Sequence, residues 1–323
     1  LSVGNGFCQA ARRGGWQGAG ASERAGLHCE EPTLTGEKSH TSETRIMVST
    51  IPTRVTETLL ILAKTYPYPS RRYREITCTA AIDEQGQMRR LFPIPFRFLQ
   101  GDQQFRKWEW IRATVTAPKD DRRPESRRVD VDSIVRTGKT VGTGRSWQER
   151  RRWIEPHVLE SFEALEERRL ETGETLGFIK PARLLGLDIK PVKEKDWTEE
   201  EKIAMSKEGL LDTSEAKTRP PLEKLPYDFY FHYECQTEES TMQNKHKLVD
   251  WEVGALYRNC VRKYGHKWEE PFRSKLEVDL APKDLFFLMG TMHRFPSQWL
   301  IVGLVYPPKL PQDQIVQPAL WSV

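Results

Sequence analysis

The sequence contains no P-loop, GxGxxG, GxSxG or HExxH string and no clean D-x(n)-ExK array. Nucleotide cradling, nucleophile-elbow hydrolysis and zincin chemistry in their standard forms are therefore excluded. Cysteine is scarce as well: Cys8, Cys29, Cys78, Cys235 and Cys260 are odd in number, scattered, and form no CxxC pair. That pattern argues against a disulfide framework and for a reducing cytoplasm. No apolar run approaches the 18 or so residues of a membrane span, so no membrane partner is expected. Residues 1–46 lack apolar periodicity and the n-region, h-region and cleavage site of a signal peptide; the first methionine is Met47. They read as a disordered leader or translated upstream sequence, dispensable for folding.

Charge is present but uneven. The whole chain carries only +4. Ser70–Arg152 holds 20 Lys and Arg against 11 Asp and Glu, whereas Trp153–Lys224 holds 12 against 17. A basic first half followed by an acidic stretch makes a polyanion the natural partner of the former.

The basic half is organised around Leu59–Leu99 (LLILAKTYPYPSRRYREITCTAAIDEQGQMRRLFPIPFRFL). An apolar run ends at Lys64, a Tyr-Pro-Tyr-Pro segment holds the chain extended, and strands are predicted over Ile76–Ile82 and Met88–Ile94 about a turn at Asp83–Gln87. Trp108–Ala117 alternates as a further strand, and Arg128–Val135 offers a short one. Lys64, Tyr66, Arg71, Arg72, Arg74, Arg89, Arg90 and Arg97 are the candidate nucleic-acid contacts. Arginine grips phosphate by paired hydrogen bonds, and aromatic faces stack bases. Solvated strand arginines and core aromatics explain the same residues equally well.

Five domain-level segments are expected: the leader (1–46), a basic β-rich domain (47–145), a helical acidic connector (146–224), an α+β domain (225–310) and a tail (311–323). The fold class is α+β. It comprises an N-terminal small β-barrel, OB- or PUA-like by analogy, the connector, and a C-terminal domain with a short antiparallel sheet. In the connector, S-W-Q-E at Ser146–Glu149 predicts a capping box, Pro156 the start of a helix that Gly173 stops, and Thr198–Glu201 a second box. In the last domain, Tyr227–Cys235 is a strand and Gln236–Lys247 a polar loop. Asp250 caps the clearest helix, which Gly265 ends. Leu285–Met292 and Trp299–Tyr306 form a hairpin with a six-residue loop.

Chemistry, if any, concentrates near Asp250. Asp250 and Glu252, with His246 and His293, would form a catalytic set in which the two carboxylates hold Mg²⁺ or Mn²⁺ and the ion activates water against a phosphodiester. Against this, Asp250 is fully explained as an N-cap, a position where Asn would replace it almost without cost, and Glu252 complements the helix dipole. A zinc site from His232, Cys235, His246 and Cys260 is disfavoured, because an odd separation puts His232 and Cys235 on opposite faces of one strand.

YPYPSRRYRE, RLFPIPFR, DWEVGALYR and the closing GLVYPP together resemble a group of uncharacterised bacterial proteins, across most of residues 56–309. The resemblance implies a prokaryotic, cytoplasmic setting and carries over no catalytic residue. The expected function is nucleic-acid binding by the basic domain. The alternatives are a divalent-metal-dependent nuclease around Asp250 and Glu252, and a non-catalytic scaffold or interaction subunit.

Overall fold

A computed structural model describes residues 53–206, 219–238 and 240–310; the expected leader and tail lie outside them. The first half is a closed barrel. Its strands are β1 (Val55–Lys64), β3 (Arg74–Asp83), β4 (Met88–Ile94), β5 (Glu109–Thr116) and β6 (Ser126–Val129). β1 pairs with both β3 and β5, which closes the ring β1-β3-β4-β6-β5. All pairs are antiparallel except β4 with β6. Numbered among themselves, the five strands run 1-2-3-5-4 with the third and fifth parallel, the order of an OB barrel. The short β2 (Tyr68–Ser70) pairs with β3, and β7 (Val135–Thr140) pairs with β5. The turn after β3 forms at the expected place. Asp83 Oδ1 accepts from the Gln85 and Gln87 amides at 3.0 and 2.8 Å, and Gly86 supplies a φ of 80°.

β1 is apolar on both faces for a reason. Leu59 and Ile61 fill the barrel with Ala81, Leu91, Ile111 and Val115. Leu60 and Leu62 point outward, with Ala80, Ile82 and Met88, and pack against Phe178, Phe286, Leu288 and Val302 of a second sheet. The approach is backbone-close at Gly303, where an added Cβ would stand 2.5 Å from the Ala63 Cβ. The barrel wall is thus an interior surface.

The second sheet departs from expectation. The stretch read as a helical connector does contain α1 (Gly144–Ile154), α2 (Phe162–Thr172) and α3 (Glu199–Ser206). It also supplies three sheet strands: β8 (Val158–Leu159), β9 (Leu176–Ile179) and β10 (Arg183–Pro191). The expected polar loop after β11 (Tyr227–Gln236) is largely strand β12 (Thr241–Leu248). Only Lys247 and Leu248 of β12 also pair with β14, so the rest projects as an exposed hairpin and has no need of apolar residues. With β13 (Phe286–Thr291) and β14 (Trp299–Val305) the order is β10-β11-β12-β14-β13-β9-β8. It is mixed rather than purely antiparallel, since β12–β14 and β8–β9 run parallel. α4 (Trp251–Tyr264) and α5 (Glu269–Arg273) cover the face turned away from the barrel, through Val253, Tyr257, Cys260, Trp268 and Phe272.

Capping follows the sequence at Thr198 and Asp250 and departs from it at Ser146 and Pro156. Ser161 accepts from Ala164 N at α2, Thr198 and Glu201 exchange side chain-to-backbone bonds at 2.9 and 3.2 Å, and Asp250 caps α4. The box at Ser146 does not form. Arg145, Ser146 and Trp147 hold φ of 49°, 54° and 65°, a left-handed turn that non-glycine residues enter at a cost. Pro156 sits in a 3₁₀ turn ahead of β8 rather than opening a helix. No helix among the described residues is long and apolar enough to cross a membrane.

Candidate functional site

The candidate arginines separate into one buried strut, two half-buried ones and an exposed segment. Arg89 bonds Asp83 at 2.6 Å and Glu57 at 3.3 Å, and Arg97 bonds Glu75 at 3.3 Å. Arg90, 5% exposed, reaches Glu125 at 3.5 Å, the Thr175 carbonyl at 2.9 Å and its hydroxyl at 3.0 Å. These three side chains are committed to the fold. Arg71 and Arg72 are exposed; Arg71 meets Glu200 at 3.6 Å and Arg72 lies over the Tyr73 ring. Arg74, with a φ of 61°, lies over the Phe98 ring. Tyr66 is tied down: its hydroxyl donates to the Glu223 carbonyl at 2.9 Å and accepts from Arg258 Nε at 3.0 Å.

The proposed catalytic set does not share a cleft. His246 Nδ1 bonds the Tyr233 hydroxyl at 2.8 Å, and its ring centroid lies 4.5 Å from that of Phe162. Burial lowers its pKa to about 4. His293 is exposed, its Nε2 2.8 Å from the Asp120 carbonyl. Neither lines the two cavities beside Asp250 and Glu252. Asp250 is 3% exposed, and its two oxygens accept from the Glu252 and Leu304 amides at 2.8 and 3.0 Å. Both carboxylates face Lys107, whose Nζ bonds Glu252 Oε2 at 2.9 Å and the Leu304 carbonyl at 2.8 Å. An ammonium thus supplies the positive charge expected of an ion. Among the described residues no group of three or more His, Cys, Asp or Glu is arranged to hold a metal.

Burial pushes Asp250 up, opposed by the Lys107 charge. Burial likewise works against the Lys107 ammonium, but Asp250 and Glu252 outweigh it and hold Lys107 above its ordinary value. Lys64 completes the cluster: burial lowers it to about 8 despite Glu252, Asp250 and Glu109. Perturbed titration of this kind around a cavity is a feature shared by functional sites and structural ion-pair networks.

A second grouping lies at the barrel rim. The β13–β14 loop meets the β5–β6 loop through His293 on Asp120 and through Arg123 Nη1 on the Thr291 carbonyl at 3.0 Å. It also meets the segment after β1: burial and the nearby Cys78 push the Tyr68 hydroxyl up, and Arg294 pulls it down. Lys119, Arg122, Arg294 and Phe295 are exposed on these loops, Phe295 at 57%, and Tyr68 is 43% exposed. Sequence reasoning passed over Lys107, Arg122, Arg294 and Phe295. The available signal was an Arg-Phe pair between two strongly apolar strands, where polar turn residues are usual.

Residues 158–319, half of the chain, match the family described as domain of unknown function DUF8757. The chain belongs to that family. Residues 55–156 match a second, DUF8758. The two meet where the barrel half ends and β8 opens the second sheet. No curated protein matches the chain.

Proposed function

We propose that this protein binds single-stranded nucleic acid at the barrel rim, in the cytoplasm of a prokaryotic cell. The observation that carries the reading is the meeting of three loops that together expose Tyr68, Phe295, Lys119, Arg122 and Arg294. Aromatic faces interleaved with cations suit stacked bases and their phosphates. OB barrels bind oligonucleotides with the face of their second and third strands and with the loops after the first and fourth. Here that face is covered by the second sheet, and the corresponding loops, after β1 and β5, both belong to the rim. The reducing compartment fits Cys78, Cys235 and Cys260, which are all unpaired.

The test is fluorescence anisotropy with a labelled single-stranded oligonucleotide across a salt series. Replacing Arg122 and Arg294 by Ala should weaken binding and flatten the slope of log K against log salt by about 0.7 for each phosphate no longer neutralised. Phe295→Ala should cost about 1–3 kcal/mol of binding at every salt concentration. Wild-type protein that fails to bind at low salt, or a double-Ala variant with unchanged affinity and slope, would overturn the reading.

A further inference from the structure

Lys64 ends β1 inside a cage. Its ammonium lies 3.6 Å from the Phe96 ring centroid, 5.2 Å from Phe105 and 5.8 Å from Trp251. Among the described residues one of its three donors has an acceptor, the Phe105 carbonyl at 3.3 Å. It lines a cavity of about 100 Å³ with Ile61, Ala63, Lys107, Asp250, Trp251 and Glu252. A second cavity of about 400 Å³ shares Asp250 and Glu252 and is lined by Leu256, Leu276, Leu280 and Tyr306 and by Lys275, Asp279 and Lys283. The groups facing Lys64 are thus two carboxylates, one already paired ammonium, three rings, and Glu109, which is held by Arg136 at 2.8 Å. Lys107 is occupied by Glu252 and Leu304, which leaves Lys64 as the amine of the smaller cavity.

We propose that Lys64 is a nucleophilic amine that forms an imine with a small neutral aldehyde or ketone bound in this cavity. The amine nitrogen adds to the carbonyl carbon, the carbonyl oxygen takes a proton, and the carbinolamine loses water as the carbon–nitrogen double bond forms. Charge favours a neutral partner. With Lys64 deprotonated, two carboxylates face one ammonium, so an anionic substrate would be repelled. The protonated imine restores the missing positive charge against Phe96 and Glu252. Leu256, Leu276 and Leu280 of the larger cavity offer an apolar patch for a short aliphatic chain on the carbonyl.

An amine titrating near 8 is neutral about a tenth of the time at pH 7, more than two orders of magnitude above a surface lysine. The experiment treats the full chain with butanal and sodium cyanoborohydride, whose hydride reduces the imine to a stable secondary amine, and maps the adduct by peptide mass spectrometry. The expected result is early labelling at Lys64, at least tenfold faster than at the exposed Lys139 or Lys193, with a pH midpoint near 8. Glu252→Gln should lower that midpoint, because Glu252 favours the ammonium. Labelling that follows exposure and spares Lys64 would overturn the proposal. So would a midpoint that Glu252→Gln leaves in place, since the cavity carboxylate would then not face the reacting amine.

Discussion

Arg90→Met separates a structural arginine from a phosphate-binding one. The side chain leaves β4 of the barrel and bonds the carbonyl and hydroxyl of Thr175, at the mouth of β9, while facing Glu125 at 3.5 Å. The Thr175 amide donates to Glu125 at 3.1 Å, and its hydroxyl donates to the same carboxylate. Methionine keeps much of the stem and removes the charge, leaving Glu125, itself 4% exposed, as a buried carboxylate without its cation. Breaking a buried pair from one side costs about 3–5 kcal/mol, and charge-assisted hydrogen bonds contribute about 1.5–3 kcal/mol each, so a loss of about 4 kcal/mol is expected. In a body of this size that is a fall in Tm of about 10 °C. Urea unfolding should show a lower midpoint at unchanged m. Adding Glu125→Leu should recover part of the loss, because the stranded carboxylate is then gone. A loss below about 1 kcal/mol, together with weakened oligonucleotide binding, would refute this account and return Arg90 to the binding surface.

Two further outcomes follow from buried polar groups. Burial holds the His246 ring neutral, with its pKa lowered from 6.5 to about 4, so its contribution is intact above pH 6.5 and is lost as the pH falls toward 4. Denaturant titrations across that window should show stability dropping by up to about 3 kcal/mol, and His246→Gln should remove most of that slope; an equally steep wild-type and variant profile would place the titrating group elsewhere. Asp250→Asn should not be silent, as a simple cap would be: both carboxylate oxygens accept from amides, and an Asn side chain turns an N–H toward one of them. A cost of about 1–3 kcal/mol is expected in urea unfolding, and a variant as stable as wild type would show that a lone cap was the whole role.

What was legible in the sequence was local. The strands at β3, β4, β5, β13 and β14, the turn at Asp83, the Asp250 cap and the Gly265 stop all rest on patterns spanning a few residues, and each formed where expected. The barrel followed from strand spacing. Ser146 shows the limit of a local rule: its capping box competed with Arg150, which packs over the Trp108 and Trp147 rings and donates to the Val141 carbonyl, and a left-handed turn formed instead. The candidate site was illegible for a different reason. Lys107 meets Glu252 and Arg90 meets Thr175 across 145 and 85 residues, and no periodicity encodes such a pairing. An arginine-rich strand reads alike whether its side chains face phosphate or a partner carboxylate; only the fold supplied Glu57, Glu75, Asp83 and Glu125.

The same distinction explains where ligand can reach the barrel. An OB barrel that binds through its wall must present polar and aromatic side chains on the outer faces of its second and third strands. Here those strands turn Ala80, Ile82 and Met88 outward, and the adjoining β1 turns out Leu60 and Leu62. At about 25 cal/mol per Å² of apolar surface, exposing such a wall would be costly, and burying it against Phe178, Phe286 and Val302 removes the penalty. The continuous apolar run of β1, which first marked this stretch of sequence, was therefore already a statement that the wall is occupied. Cationic and aromatic side chains excluded from it remain exposed on the loops. On this barrel, ligand recognition and sheet packing use different surfaces, which is why the arginines nearest the strand centres are struts and those at the rim are available to solvent.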